Sequence, residues 1–371
     1  MALFDGLFKK KPAGYLGVDI GSGGIKVVEL RAERGRPRLV TYGYSRTMPG
    51  QAGTPFDDPK SAGELLGRIC RQAGAKTTAA TAALPAASVF SAIIAVPRTP
   101  GATALQLKPL IDAQVAKLAP LPAADMVTYS TFVDDLKKPP AKPAPPVPGA
   151  VPAPKKQEYV RVLVTGAAKS LVQKYVEIFR AAKLDLKAID SEAFALIRAL
   201  IGRDRSTIAL LDIGDKRTSV TVVEKGIPFL SRSINLGGAG VTKRVMEQMN
   251  VSAEEAEQLK ADLSQAEVPG AAPPPAVEAV LQPIVHEIQF AFQLFGNMEL
   301  TESRRVEKLI VTGGSSLLPG LTASLSKALN LNVYLGDPWA RVAYPAELRP
   351  MLEEVGPRLS VAIGLAMRDI E

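Results

Sequence analysis

The sequence predicts an α/β protein of two duplicated halves that hold a phosphate-bearing ligand between them. Residues 15–30 carry an apolar strand into Asp-Ile-Gly, a short polar turn and a second apolar strand, and residues 208–224 repeat the arrangement. One such hairpin says little. Two, each opening a half of the chain, suggest a duplicated unit. Strand-like and helix-like runs alternate around them, as in α/β domains.

In the first hairpin, Leu16 and Val18, then Ile25, Val27 and Val28, have the aliphatic character of buried strands. Gly21, Gly23 and Gly24 allow positive φ and keep side chains off the turn, so that several N–H groups can face one phosphate. Asp19 at the mouth is suited to Mg2+ held through water, and Lys26 to a terminal phosphate. No third glycine stands at the dinucleotide-binding spacing, and Gly-Lys occurs nowhere, which excludes a Walker A loop. For residues 15–30 alone, a glycine-rich turn without a ligand stays an open reading.

Composition narrows the classes. A 371-residue chain with 47% hydrophobic residues has material for two domains or more. The single cysteine, Cys70, excludes an internal disulfide and a cysteine-based metal site. His286, the single histidine, excludes a zinc cluster and a serine–histidine triad and is read as structural. No apolar run reaches the roughly 18 residues that span a bilayer. Lys9–Lys11 after an apolar stretch reverse the order of a secretory signal, so a cytoplasmic location is expected. The formal charge of +8 favours anionic partners in general. Nucleic acid is not expected, because the basic residues are not interleaved with aromatics.

Along the chain, Leu3, Phe4, Leu7 and Phe8 before the lysines fit a short amphipathic helix over 1–12 that touches a membrane surface or packs on its own domain. A strand over 36–42 and a helix over 58–74, stopped by Gly74, follow the first hairpin. Strands are expected over 78–84 and 88–96, a break at 97–100, a helix over 105–118 and a strand over 127–133. Residues 137–156 are dense in proline, alanine and lysine and cannot bury a core. They read as a disordered, extended loop or as a proline-recognition ligand. A strand over 159–165 and a helix over 170–182 complete a small inserted domain. A helix over 189–202 places Asp190 at its start, where a helix N-cap is one reading.

The second half brings a strand over 227–234, then Leu236-Gly-Gly opening a helix. On a helix over 254–261, Glu257 and Lys260 share a face, which a surface ion pair would also explain. A proline- and glycine-rich loop over 266–276, a long helix over 279–298, a strand and glycine turn over 309–316 and a helix over 321–329 follow. In the small apolar run 359–367, Ala362 and Gly364 permit close helix packing.

Three of these stretches, in this order, resemble the motifs of the actin-like ATPase superfamily. They are Asp19-Ile-Gly-Ser-Gly-Gly-Ile-Lys, then Asp212, Gly214 and Thr218, then Val311-Thr-Gly-Gly-Ser-Ser. Within it the chain resembles the PilM family of type IV pilus assembly proteins. The resemblance rests on Leu7-Phe-Lys-Lys-Lys, Ile25-Lys-Val-Val-Glu-Leu and Ile189-Asp-Ser-Glu-Ala-Phe-Ala-Leu-Ile-Arg-Ala. Leu236-Gly-Gly, Ala256-Glu-Gln-Leu-Lys and Val311-Thr-Gly-Gly extend it over nearly the whole chain.

The resemblance implies the actin-like ATPase fold, two duplicated halves around a nucleotide cleft, with a small inserted α+β domain also found in the cell-division actin homologue. It implies a first subdomain over 14–96 with 186–205 and 357–371, and the insertion over 97–185. A second subdomain would take 206–240 and 309–356, and a helical subdomain 241–308. ATP with Mg2+ is the implied ligand. Gly21, Ser22, Gly23, Gly24 and Lys26 would meet its phosphates from one half, and Gly214 and Thr218 from the other. Asp19 and Asp212 would hold Mg2+ through water. Gly237, Gly238, Glu257, Lys260, Gly313, Gly314 and Ser315 would face the ribose and adenine, and Asp190 the attacking water.

The implied partner is the cytoplasmic N-terminal segment of the inner-membrane protein PilN, docked between the first domain and its insertion. Other inner-membrane pilus assembly proteins would follow, with membrane association through partners and at most a slow ATPase. A small-molecule kinase and a filament-forming cytoskeletal ATPase are the alternatives on the same fold.

Overall fold

The computed structural model describes residues 14–46, 57–97, 103–134, 158–265 and 273–370. The expected helix at 1–12, the proline-rich stretch at 137–156, the break at 98–100 and most of the loop at 266–276 lie outside the described residues.

The first half opens with strands β1 (Tyr15–Gly21), β2 (Gly24–Glu33) and β3 (Arg36–Tyr44). Helix α1 (Pro59–Ala73) starts where the Asp58 carboxylate accepts from the Lys60 N–H at 3.1 Å and stops at Gly74, φ 70°. Strand β4 (Ala79–Leu84) follows. The chain then leaves the half through β5 (Phe90–Pro97), α2 (Ala104–Leu118), β6 (Met126–Phe132) and β7 (Tyr159–Ala168). It returns through α3 (Lys169–Ala181) and β8 (Asp185–Ser191). Helix α4 (Glu192–Leu196) runs on as a π-helical turn, Ile197–Ile201.

The second half contains β9 (Ile208–Ile213), β10 (Thr218–Glu224) and β11 (Ile227–Ile234). Then come α5 (Gly238–Met249), α6 (Ala253–Gln265) and α7 (Pro275–Gly296). Strand β12 (Lys308–Thr312), α8 (Leu321–Leu329) and β13 (Asn332–Leu335) complete it, and α9 (Arg349–Met367) packs back on Val28 and Leu30 of the first half.

The duplication is visible in the sheets. One sheet has the order β3-β2-β1-β4-β8 and the other β11-β10-β9-β12-β13, each with a meander of three antiparallel strands followed by two parallel ones. Even the Val-Val-Glu that ends each second apolar run does equivalent work. Glu29 is buried and accepts from the Lys76 N–H at 2.6 Å. Glu224 is buried and accepts from the Glu302 and Ser303 N–H groups at 3.1 and 2.5 Å. In both halves a buried carboxylate satisfies the backbone leading into the next parallel strand, so neither group is left unpaired in the interior.

Helix α9 meets the second half where the Ser360 and Thr312 hydroxyls bond at 2.7 Å, and it approaches β1 and α4 of the first half at backbone distance. A Cβ on Gly17 of β1 would stand 1.9 Å from the Ala362 carbonyl oxygen, and one on Gly364 would stand 1.9 Å from that of Ala195 in α4. The small residues of 359–367 therefore serve the close packing read from the sequence.

The inserted unit is divided differently from the sequence reading at 97–185. Strand β5, assigned there to the first subdomain, pairs along its whole length with β7, from Phe90 opposite Gly166 to Pro97 opposite Tyr159. Helix α2 covers one face of this β5-β7-β6 sheet with Leu107, Ile111 and Val115. Helix α3, assigned to the insertion, instead buries Tyr175, Ile178 and Phe179 in the first-half core with Leu16, Val18 and Leu66. A Cβ on Gly63 of α1 would stand 2.5 Å from the Ile178 carbonyl oxygen, so the two helices need that glycine. An apolar period identifies a strand or a helix but not the partner it buries against.

The insertion also rests on the second half. Ile93 and Val133 pack on the cluster of Val222, Phe229 and Phe295. Arg161 on β7 pairs with Asp134 at 2.6 Å and with Glu302 at 3.0 Å, and donates to the Leu300 carbonyl at 2.9 Å.

Candidate functional site

The two hairpin turns meet across the halves. The Lys216 N–H donates to the Ser22 hydroxyl at 3.3 Å, and a Cβ on Gly23 would come 3.0 Å from the Asp215 Cβ. Gly24, φ 120°, lies against the backbone of Ser45, whose carbonyl oxygen would be 2.2 Å from a Cβ. Glycine is thus required twice there, by conformation and by space.

Register sets the charges. Asp19 pairs with Lys26 across β1 and β2, and their side chains meet at 2.8 Å with little exposure. Asp212 ends β9, the equivalent strand of the other half. Burial, then the charge of Asp19, pushes the Asp212 carboxyl up to about 6. Glu192 is pushed up to about 8 by burial, then by Asp19 and Asp212, and is eased by the Ala86 N–H it accepts at 2.7 Å and by Lys26. Burial disfavours the Lys26 ammonium, but Asp19, Asp212 and Glu192 together hold its pKa above the usual value. Even with the Glu192 carboxyl protonated near neutral pH, Asp19 and Asp212 around one ammonium leave a surplus of negative charge, which fits a divalent cation. Among the described residues no three His, Cys, Asp or Glu side chains are placed to chelate an ion directly.

The cluster has a pH signature. A carboxyl whose pKa is raised on folding adds stability below its unfolded value, near 4.5, and that stability is lost as pH rises through its folded value, about 8 for Glu192. Glu192→Gln keeps an acceptor for the Ala86 N–H and carries no charge. It is expected to flatten the fall in melting temperature between about pH 5 and 8, and at pH 8 to stabilise the chain by up to a few kcal/mol. Parallel melting curves for the two proteins across that range would contradict this charge cluster.

On the other side of the cleft the glycine turns interlock. Thr218, buried, donates its hydroxyl to the Leu236 carbonyl at 2.7 Å, which braces the start of α5. A Cβ on Gly237 would stand 2.6 Å from the Gly214 carbonyl oxygen, and one on Gly238 2.2 Å from the Ser315 hydroxyl. On Gly313, φ 94°, it would stand 2.3 Å from the Asp212 carboxylate. The Lys260 ammonium donates to Glu257 at 2.5 Å, to Thr242 at 2.8 Å and to the Gly238 carbonyl at 3.3 Å. The pair is therefore part of this wall and not an isolated surface contact. A Cβ on Gly314 would stand 3.5 Å from the Arg358 Nε, an ordinary contact.

Two residues here were not singled out from the sequence. Arg358 lies over the Tyr44 ring at 5.3 Å, and burial, then Arg46, lowers its pKa. Nothing in the run before α9's apolar face marked it. Glu192 is the second. Asp190, read as facing water or as an N-cap, pairs instead with Arg198, which donates to the Gly364 carbonyl at 2.5 Å. Ser191 is the N-cap, accepting from the Phe194 N–H at 3.3 Å. Glu192 follows at the first helical position, where an acidic residue is ordinary and so draws no notice. His286 is exposed on α7.

Comparison with known proteins gives three kinds of likeness. The family model for type IV pilus assembly protein PilM matches residues 150–370. The cell division protein FtsA of Bacillus subtilis (strain 168) is 26% identical over 210 residues, which is 50% of this chain and 47% of FtsA. The chain thus spans about half the length of that curated relative. Among solved structures, a PilM-PilN type IV pilus biogenesis complex superposes with a TM-score of 0.77 at 23% identity, covering 96% of this chain and 98% of the other. The ethanolamine utilization protein EutJ of Carboxydothermus hydrogenoformans gives 0.52 at 17%, covering 96% and 90%. MreB 5 of Spiroplasma citri, bound to AMPPNP, gives 0.50 at 12%, covering 96% and 95%. These structural likenesses identify the actin-like ATPase fold.

Proposed function

Because the chain belongs to the type IV pilus assembly protein PilM family, we propose that it is an ATP-binding scaffold of pilus assembly. The observation that carries the nucleotide reading is the meeting of the two hairpin turns, with Asp19, Lys26, Asp212 and Glu192 buried around them. Asp19 and Asp212 would hold Mg2+ through water, and Lys26 would meet a terminal phosphate. Gly237, Gly238, Glu257, Lys260 and Gly313 to Ser315 form the wall for ribose and adenine, with Arg358 beside Gly314. Bound Mg–ATP would supply the phosphate and cation charges that bridge the halves. Glu192, which interacts with Asp19 and Asp212 while Asp190 is held by Arg198, is better placed than Asp190 to orient a water, and it would accept that water's proton only when ionised.

The partner in this reading is the cytoplasmic N-terminal segment of PilN, seated between the first half and the insertion. It would bring the chain to the inner membrane, and no helix among the described residues is long and apolar enough to cross one. Support comes from the PilM-PilN complex that the chain resembles in structure. The insertion touches the second half through Arg161, so closure around ATP and peptide docking involve the same bodies. Ligands shift a conformational balance only by differential contact with its states, and the effect is reciprocal. ATP affinity is therefore expected to rise when a PilN-like peptide saturates the groove, by about 1–3 kcal/mol. Isothermal titration with and without the peptide checks this. Equal affinities would reduce the nucleotide to a structural ligand in a passive adaptor.

A further inference from the structure

The end of the first half opposite the cleft carries a charge that the nucleotide and PilN readings leave unused. Register defines this end. Tyr15 lies opposite Leu30, Leu16 beside Ala80, and Ala79 beside Asp185. The starts of β1, β4 and β8 and the tip of the β2–β3 hairpin therefore sit together, while Asp19 and the glycine turn lie at the far ends of the same strands. The tip exposes Arg31, Arg34, Arg36 and Arg38, and the neighbouring strand entries expose Lys76 and Lys183. Of the acids nearby, Glu33 pairs with Arg38 at 2.8 Å and with Arg31 at 3.5 Å, Asp185 pairs with Lys187, and Asp369 lies by Tyr15, so the basic residues stay in excess.

Two of these basic residues sit where the fold favours something else. Arg34 has φ 50° and forms, with Gly35, the two-residue turn between Glu33 and Arg36. Asparagine, aspartate or glycine is the usual choice there. Lys183 has φ 59° just past α3, a position that usually takes glycine. Backbone strain at both is tolerated with nothing gained in packing, since both side chains are exposed. The chain also enters β1 at this end, at Gly14.

We propose that this basic end is a docking surface for anionic phospholipid, in addition to any attachment through a protein partner. Clustered arginines suit a sheet of phosphate headgroups. The hairpin tip exposes no aromatic ring for base stacking, which favours lipid over nucleic acid.

The test is co-sedimentation of the full chain with vesicles of phosphatidylcholine alone or mixed with phosphatidylglycerol. Binding is expected only to the anionic vesicles, and weaker at high salt. Each arginine lost should weaken it about fivefold, so Arg34→Gln with Arg36→Gln costs about twenty-five-fold. Arg34→Asn separates charge from fold. It should weaken binding about fivefold while its melting temperature holds or rises. Equal binding to neutral vesicles, or unchanged binding by these variants at native circular dichroism, would overturn the proposal. So would tighter binding to a double-stranded oligonucleotide that depends on the same arginines.

Discussion

Gly364→Val is expected to keep the chain from folding stably. At this point α9 crosses α4 with no side chain between them. A Cβ would meet the Ala195 carbonyl oxygen at 1.9 Å, its carbon at 2.6 Å and its Cα at 3.0 Å. All three are backbone atoms, so no rotamer change relieves the clash. Helix α9 would have to withdraw, and Ala362, Ile363 and Leu365, none of them exposed, would leave their seats. Ala362 in turn is the residue against which Gly17 brings β1. Overpacking with side-chain neighbours costs about 1–3 kcal/mol, and a backbone-only contact should exceed that range. The loss is a large part of a typical total stability of about 5–15 kcal/mol. A drop in melting temperature of about 10 °C or more, or insoluble protein, is the expected outcome. Gly17→Ala should behave similarly. A native melting temperature for Gly364→Val would sink the close crossing.

The second large effect concerns charge. Lys26→Met should abolish measurable ATP binding and also destabilise the free protein, because Asp19, Asp212 and Glu192 would share a buried space without a cation. Removing one partner of a buried pair costs about 3–5 kcal/mol. The cost should shrink toward pH 5, as the carboxyls with raised pKa values take up protons. Asp19→Ala should also weaken ATP binding, about a hundredfold or more if Mg2+ positioning is lost. Its cost in stability should be smaller than that of Lys26→Met, since the ammonium keeps Asp212 and Glu192 as neighbours and the charge of Asp19 no longer raises those two carboxyls. Titration calorimetry with Mg–ATP and melting curves at two pH values read both effects. Wild-type affinity in both variants would remove the hairpin from the nucleotide site, and equal shifts in stability would contradict the charge arrangement.

The paired loops were legible because their information is local. Asp19 and Lys26 are brought face to face by a hairpin whose register follows from the turn Gly21–Gly24. The same holds for Asp212 at the end of β9. The apolar periods located most elements within a few residues, among them β11 and α8. Strand β13 was missed, since its four residues are mostly exposed and it is recruited by its neighbour β12.

By itself the sequence determined the duplication, the alternation of strands and helices and the glycine turns, because each depends on residues adjacent in the chain, and its single cysteine excluded an internal disulfide. Only the tertiary structure decided that β5 belongs with β7, that α3 belongs with α1, and that Arg161 spans from the insertion to Glu302. It also decided that Glu192 and not Asp190 faces the carboxylate cluster, with Arg358 beside Gly314. The physical reason is that burial and charge act through space. Asp190 and Glu192 are both acidic and two residues apart, and what separates them is the neighbour each meets: Arg198 for one, and Asp19 and Asp212 from the two hairpins for the other.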